Sequence, residues 1–258
     1  MEMKTTSIIL GLLLPLLPAA AQQPGAVEIM NLSRELSMAS SLSATLRLTI
    51  TEKSGSERNR TISMTTKSFA DGLEKRLVRF MEPADVRGTA MLIVDNRNSA
   101  DEMWIYLPAL KKTRRIVSSE KGKSFMSSEF TNADMTSPTV SDFNHRLLGN
   151  TGTEGQWTIE SIPVNEDKAE EYGYSRKVSH ISKDKYEVMK MEFYNFDGEL
   201  FKVIETKATF QMKDGKYMIK NMVASNLKTG RKSEILFNNI SEGSKVDDSV
   251  FSLQNLQQ

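Results

Sequence analysis

The sequence predicts a mainly β protein with a little helix (α+β): an antiparallel meander that curls into a barrel-like sheet, with helices on its concave side. Three observations predict it. Apolar residues recur with period two over much of the chain, which puts them on one face of a strand. Asp71-Gly72, Asp197-Gly198 and Asp214-Gly215 punctuate the runs, and Asp-Gly between alternating segments marks hairpins. A strongly curved sheet needs helices to fill its hollow, and helical spacing occurs at two candidate stretches, 24–37 and 142–148.

In chain order, residues 1–21 read as an export signal. Residues 8–17 are apolar and short for a membrane span, and small residues precede Gln22. Lys4 is the one basic residue of the leader, against Glu2, and Met3 is an alternative start. Cleavage at Ala21/Gln22 leaves one domain, 22–258, large enough for a substantial core. An uncleaved anchor is the alternative.

Residues 24–37 follow as a helix with Pro24 in its first turn. Ala26, Ile29, Met30, Ser33 and Leu36 form its stripe. The helix suits packing and a lid equally. From Ser43 on, Leu46, Leu48 and Ile50 alternate with polar residues, and a turn is expected at 53–56. Ile62, Met64 and Thr66 share a face in the next strand. Beyond Asp71-Gly72, Arg76, Val78 and Phe80 face opposite to Lys75, Leu77 and Arg79, and 91–94 is short and wholly apolar. The following strand sets Met103, Ile105 and Leu107 against Trp104 and Tyr106, so cover is expected on both faces. Pro108 ends that ladder.

Lys111, Lys112, Arg114 and Arg115 then form a basic segment leading to Ile116-Val117. As a solvated sheet edge they discourage strand pairing with another chain; acidic lipid headgroups or an acidic partner are the alternative. The next loop contains Gly and Ser yet carries Phe125, Met126, Phe130 and Met135. Four large apolar side chains must cover something: a core edge, a partner or a cavity mouth. Thr136-Ser137-Pro138 reads as a helix start and 142–148 as a short helix ended by Gly149, with Phe143 and Leu147 on one face. Further strands are expected at 157–159, 175–181, 186–194, 200–206, 216–224 and 232–237. In 186–194, Met189, Met191 and Phe193 lie opposite Lys190 and Glu192. The tail, with Val250 and Phe251, reads as a last short strand or an anchoring segment. There is no tandem repeat.

Little catalytic chemistry is legible. The absence of cysteine excludes disulfides, thiolate metal sites, thiol nucleophiles and an N-terminal lipidated cysteine. The two histidines, His145 and His180, are far apart and make no metal cluster. A net charge of +1 gives no global case for nucleic acid. No phosphate loop or Gly-x-Ser-x-Gly elbow is present. Glu170-Glu171 and Asp247-Asp248 are adjacent acids that point apart and read as solvated surface. His145 reads as an exposed or capping residue of the predicted helix. The 15 methionines include Met64, Met91, Met189, Met191, Met212, Met218 and Met222 on predicted strands. They fit ordinary core filling, or an adaptable pocket wall, since methionine accommodates varied apolar shapes. Copper(I) on Met189-x-Met191 would be a third use, without a His or Cys to support it. No cofactor is expected.

The run Trp104 to Ile116, WIYLPALKKTRRI, continued by KGKSFMSSEFTNADM from Lys121 to Met135, resembles the periplasmic outer-membrane lipoprotein-sorting family, the LolA-like proteins. Phe80-Met81-Glu82-Pro83-Ala84-Asp85-Val86-Arg87-Gly88 and Tyr194-Asn195-Phe196-Asp197-Gly198-Glu199-Leu200 are similar to the same branch. One departure is Ser127, where the family more often has Gly; a serine strains any backbone that needs positive φ there. The resemblance implies a half-open antiparallel β-barrel with helices covering or plugging its concave face. It implies a non-catalytic periplasmic carrier that holds the acyl chains of lipoproteins or related lipids in an apolar cavity, for transfer to the outer membrane. An inner-membrane exporter and an outer-membrane acceptor are the implied partners. The alternative is an accessory or docking subunit of an envelope export pump. The expected cavity residues are Leu46, Leu48, Met64, Trp104, Tyr106, Met189, Met191 and Phe193, though a one-residue register error reverses each strand's faces. The expected lid or mouth loop is Phe125, Met126, Phe130 and Met135, with Phe125 and Phe130 gating from an exposed rim. No residue matches by motif the arginine that controls lid closure in the best-known carriers.

Overall fold

In a computed structural model, the structure describes residues 23–96, 99–149, 154–243 and 245–257. The expected export signal lies outside the described residues. The period-two runs become two successive meanders. The first comprises β1 (Ser41–Thr51), β2 (Glu57–Ser68), β3 (Glu74–Glu82), β4 (Ala90–Asp95), β5 (Glu102–Leu107) and β6 (Lys112–Ile116). The second comprises β7 (Phe143–Leu148), β8 (Gln156–Pro163), β9 (Arg176–Ser182), β10 (Val188–Tyr194), β11 (Leu200–Gln211), β12 (Tyr217–Asn226) and β13 (Lys232–Glu242). Antiparallel pairing of β1 with β13 merges them into one 13-stranded sheet that runs from β6 through β1 and β13 to β7. The end strands β6 and β7 do not pair with each other, so the barrel is half open.

Alternation sets the inner face. Leu42, Ala44, Leu46, Leu48 and Ile50 of β1 are buried, with Leu46 opposite Phe237 and Leu48 opposite Ile235 on β13. Met64 on β2 faces Val78 on β3. The basic segment lies on β6, an exposed edge strand, where charge blocks pairing with another chain.

The outer face of β3–β5 is also covered, and the tail covers it. Phe251 and Leu256 are buried against Ala90 and Leu92, with Leu77, Trp104 and Tyr106 packed around them. The tail does this through 3-10 turns at Asp248–Phe251 and Asn255–Gln257, not through a strand. The double-sided apolar pattern of β5 thus has a partner on each side.

Among the described residues, three α-helices occupy the open side: α1 (Ala26–Leu36), α2 (Ser118–Lys121) and α3 (Glu166–Tyr172). Gly25 is the N-cap of α1, so Pro24 precedes the helix instead of entering its first turn. The predicted helix at 142–148 is strand β7. A spacing of four puts Phe143 and Leu147 on one face of a strand as well as of a helix, and pairing with β8 decides between them. Arg146 lies opposite Glu160, 2.8 Å from its carboxylate, and His145 bonds Ser161 across the same pair. Sequence reading missed α3. Its signals are Asn165, whose side chain accepts from the Lys168 N–H at 2.9 Å, and Gly173, left-handed at its end.

Candidate functional site: a two-lobed cavity inside the half-barrel

The concave side holds two adjoining cavity lobes, of about 260 Å³ and 190 Å³. They share Ser37, Arg76, Asp134, Ile219 and Met222 as walls. The larger lobe lies between α1, the segment 130–143 and the inner face of β9–β12, with Met30, Phe143, Tyr172, Tyr174, Met191 and Phe193 in its lining. The smaller lobe lies over β1–β3, with Leu46, Ile62, Met64, Val78, Met218 and Phe237. Met30, Met64, Met135, Met191, Met218 and Met222 all touch one lobe or the other. Flexible thioethers suit a wall that must fit variable apolar shapes.

The loop between β6 and β7 is an inward plug. Phe125 (2% exposed) and Phe130 (0%) are core residues, not exposed-rim gates. Phe130 lines the larger lobe, Phe125 and Met135 the smaller, and Met126 packs on the surrounding core. The rings of Phe125 and Phe80 are 6.0 Å apart. The loop backbone is tied to the sheet at several points. Arg60 donates to the Met126 carbonyl, Arg76 to the Met135 carbonyl and Arg231 to the Ser127 carbonyl, while Ser233 accepts from the Glu129 N–H. Lys202 and Asp134 add an ion pair at 2.7 Å. Met126 and Ser127 both adopt positive φ, 51° and 64°.

Helix α1 covers one end of the hollow. Ile29 is fully buried with Ile159 and Ile181, while Met30, Ser33, Arg34 and Ser37 line the larger lobe. Arg34 reaches Asp95 at the end of β4 at 2.8 Å. Across the gap between the sheet edges, α2, which follows β6, meets α3, which follows β8. Lys121 and Glu171 pair there at 2.5 Å, both buried, and Lys168 adds a second contact to Glu171 at 3.0 Å. Glu171 therefore leaves the solvated surface expected for it, while Glu170 stays exposed. The backbones of Gly122 and Gly173 touch, leaving no room for a Cβ on either.

Charge inside the hollow is mostly matched: Arg34 with Asp95, Arg76 with Glu74, Lys202 with Asp134. Burial holds His145 below its ordinary pKa. Neutral, it donates from Nε2 to the Val140 carbonyl (3.0 Å) and accepts at Nδ1 from Ser161 (2.8 Å). Burial raises the Tyr172 and Tyr174 phenols, keeping them uncharged. Among the described residues, no group of three or more His, Asp or Glu is placed to hold a metal ion.

Of the expected cavity residues, Leu46, Met64, Met191 and Phe193 line the lobes. Leu48 is buried core beneath them. Trp104 and Tyr106 are corrected to the opposite face of the sheet, under the tail, because their alternation on β5 opposes that of Met103 and Ile105. Met189 is also absent from both linings. A bulge between Val188 and Lys190 shifts the register, so Val188 takes the inward place that strict alternation gave to Met189. Sequence reading missed the cavity's polar residues, above all Arg34, Arg76 and Lys177.

Three solved structures share this architecture. A domain from Vibrio parahaemolyticus named for outer membrane lipoprotein sorting matches with TM-score 0.82 and 26% identity, over 90% of this chain and 98% of that one. A DUF1329 family protein from Desulfovibrio piger matches with TM-score 0.81 and 26% identity, over 90% and 97%. A LolA superfamily protein from Nitrosomonas europaea, 17% identical, shares the fold with TM-score 0.69 over 90% and 100%. No curated protein matches the chain. A family model described as "-like: Uncharacterized protein" covers residues 72–258, the stretch that forms the plug, the open edges and most of the sheet. The chain belongs to that family, and it shares its fold with the lipoprotein-sorting domain and the LolA superfamily protein above.

Proposed function

We propose that this chain is a non-catalytic periplasmic carrier that binds lipid acyl chains, of lipoproteins or related lipids, in the two-lobed cavity and delivers them to the outer membrane. The supporting observation is the cavity itself: a methionine-rich apolar hollow between sheet, plug and α1. Each methylene moved from water into it contributes about 0.8 kcal/mol, so a short length of acyl chain suffices for binding. Loose methionine packing keeps release possible. The lipoprotein-sorting name of the Vibrio relative supports the cargo class. An inner-membrane exporter as donor and an outer-membrane acceptor complete the path.

Titration with a fluorescent acyl probe tests the proposal. Saturable one-to-one binding, lost to competition by an unlabelled acyl chain, is expected. No saturable binding would move the chain to the other role, a docking subunit of an envelope exporter.

A further inference from the structure

Lys177 stands on β9 and lines the larger lobe. It is 5% exposed. Its ammonium lies 5.3 Å from the centre of the Phe143 ring and, among the described residues, makes no hydrogen bond or ion pair. Ser179, two residues on and on the same face, lines the same lobe with a hydroxyl that likewise has no partner among the described residues.

The groups around Lys177 are already engaged. Asp134, from the plug, is the acid that draws on it electrostatically. Its Oδ2 accepts from Lys202 Nζ and the Thr131 N–H, each at 2.7 Å. Lys202, on β11, repels Lys177. Arg76 on β3 and Arg34 on α1 hold Glu74 and Asp95. His145 on β7 is neutral, as are Tyr172 and Tyr174. A buried ammonium with no hydrogen-bonded counter-ion is costly. Burial pushes Lys177 down to about 8, Asp134 opposing and Lys202 adding to the effect. At neutral pH the cation persists, inside an apolar chamber, without an anion of its own.

We infer that the larger lobe takes an acyl chain ending in a free carboxylate, its head paired with Lys177 and Ser179 and its tail against Met191, Phe193 and Ile204, an inference that rests on the lipid-carriage proposal above. One unmatched cation and one hydroxyl suit a singly charged, two-oxygen head; a phosphate head calls for more charged donors.

The test compares dodecanoic acid with its methyl ester as competitors against the fluorescent acyl probe, at pH 7 and pH 9.5. Pairing with a carboxylate raises the Lys177 pKa, so affinity for the acid is full below pH 8 and falls by up to about tenfold per pH unit above it. The acid is expected to bind about tenfold or more tighter than the ester at pH 7 and to lose most of that advantage at pH 9.5. Lys177→Met abolishes the preference and keeps ester binding. Lys177→Arg, which does not titrate in this range, keeps the preference and loses the pH dependence. The wild-type comparison stands even if neither variant folds. Equal binding of acid and ester at pH 7 overturns the inference and leaves lipid carriage standing. Failure of both to bind overturns both.

Discussion

The Arg34 guanidinium lies 2.8 Å from the Asp95 carboxylate, and the pair ties α1 to the end of β4 across the larger lobe. The helix is otherwise anchored on the other half of the sheet, through Ile29 against Ile159 and Ile181. Arg34, which also donates to the Asn96 carbonyl at 3.3 Å, therefore fastens the cover on the side away from its hydrophobic anchor. Asp95 is 2% exposed and its second oxygen accepts from the Ser137 N–H at 2.7 Å. Arg34→Ala leaves this carboxylate buried without its cation, which costs roughly 3–5 kcal/mol. Lower stability in urea and faster exchange of bound acyl probe are expected together. Unchanged exchange would show that α1 does not control access.

The α2–α3 bridge depends on two glycines. A Cβ on Gly122 would lie 2.9 Å from Gly173 Cα and 3.2 Å from the Glu170 carbonyl oxygen. These are backbone atoms and cannot swing aside. Gly122→Ala is expected to destabilise by roughly 1–3 kcal/mol. Gly149→Ala, with nothing within 4 Å of the added carbon, serves as the near-neutral control. Equal stability of the two variants in thermal unfolding would contradict the tight approach.

Ser127 carries the strain that its position predicts. Its φ of 64° lies in the left-handed region, beside Met126 at 51°. Ser127→Gly relieves the Cβ clash at the cost of some unfolded-state entropy, a net gain of roughly 0.5–1 kcal/mol. The Ser127 carbonyl still accepts from Arg231. Met126→Gly brings no such gain, because the Met126 side chain packs on the core. A fall in melting temperature for Ser127→Gly would contradict this account of the loop.

Asp101 makes stability depend on pH. Burial first, then the charge of Asp95, push its carboxyl up to about 7, against the Asn96 N–H, Lys121 and Arg34. In the unfolded chain an aspartate titrates near ~3.9. Between the two values the native state holds a proton that the unfolded state has lost. This contribution to stability is therefore full below about pH 4 and is lost as pH rises to about 7. Asp101→Asn keeps an acceptor for the Asn96 N–H (2.9 Å) and removes the ionisation. It is expected to be more stable than wild type at pH 8, by roughly 1–3 kcal/mol, since each tenfold change in proton affinity is worth about 1.4 kcal/mol. At pH 5 the difference is expected to be smaller. Urea unfolding at both pH values checks this; a variant that tracks wild type at both contradicts it.

The strands were legible because alternation is local: Leu46, Leu48 and Ile50 declare their face without help from the rest of the chain. The same logic failed wherever a non-local partner decided. Residues 143–148 fit a helix or a strand until β8 supplies Glu160 and Ser161 as partners. Met189 faces the cavity by strict alternation, and a bulge against β9 turns it away. Trp104 and Tyr106 looked like a cavity wall because nothing in β5 says which face the distant tail will cover. The plug's apolar residues were visible, but their depth was not, since it rests on tethers from Arg60, Arg76, Arg231 and Ser233. Lys177 was invisible: in Arg176-Lys177-Val178-Ser179 it reads like any outward lysine of a strand.

Native mass spectrometry of the protein purified from its native host, followed by organic extraction, tests lipid carriage most directly. A stoichiometric lipid or acylated peptide, released on extraction and absent after delipidation, is the predicted result. A clean apo mass, with no uptake of acyl chains by that same sample, would contradict it.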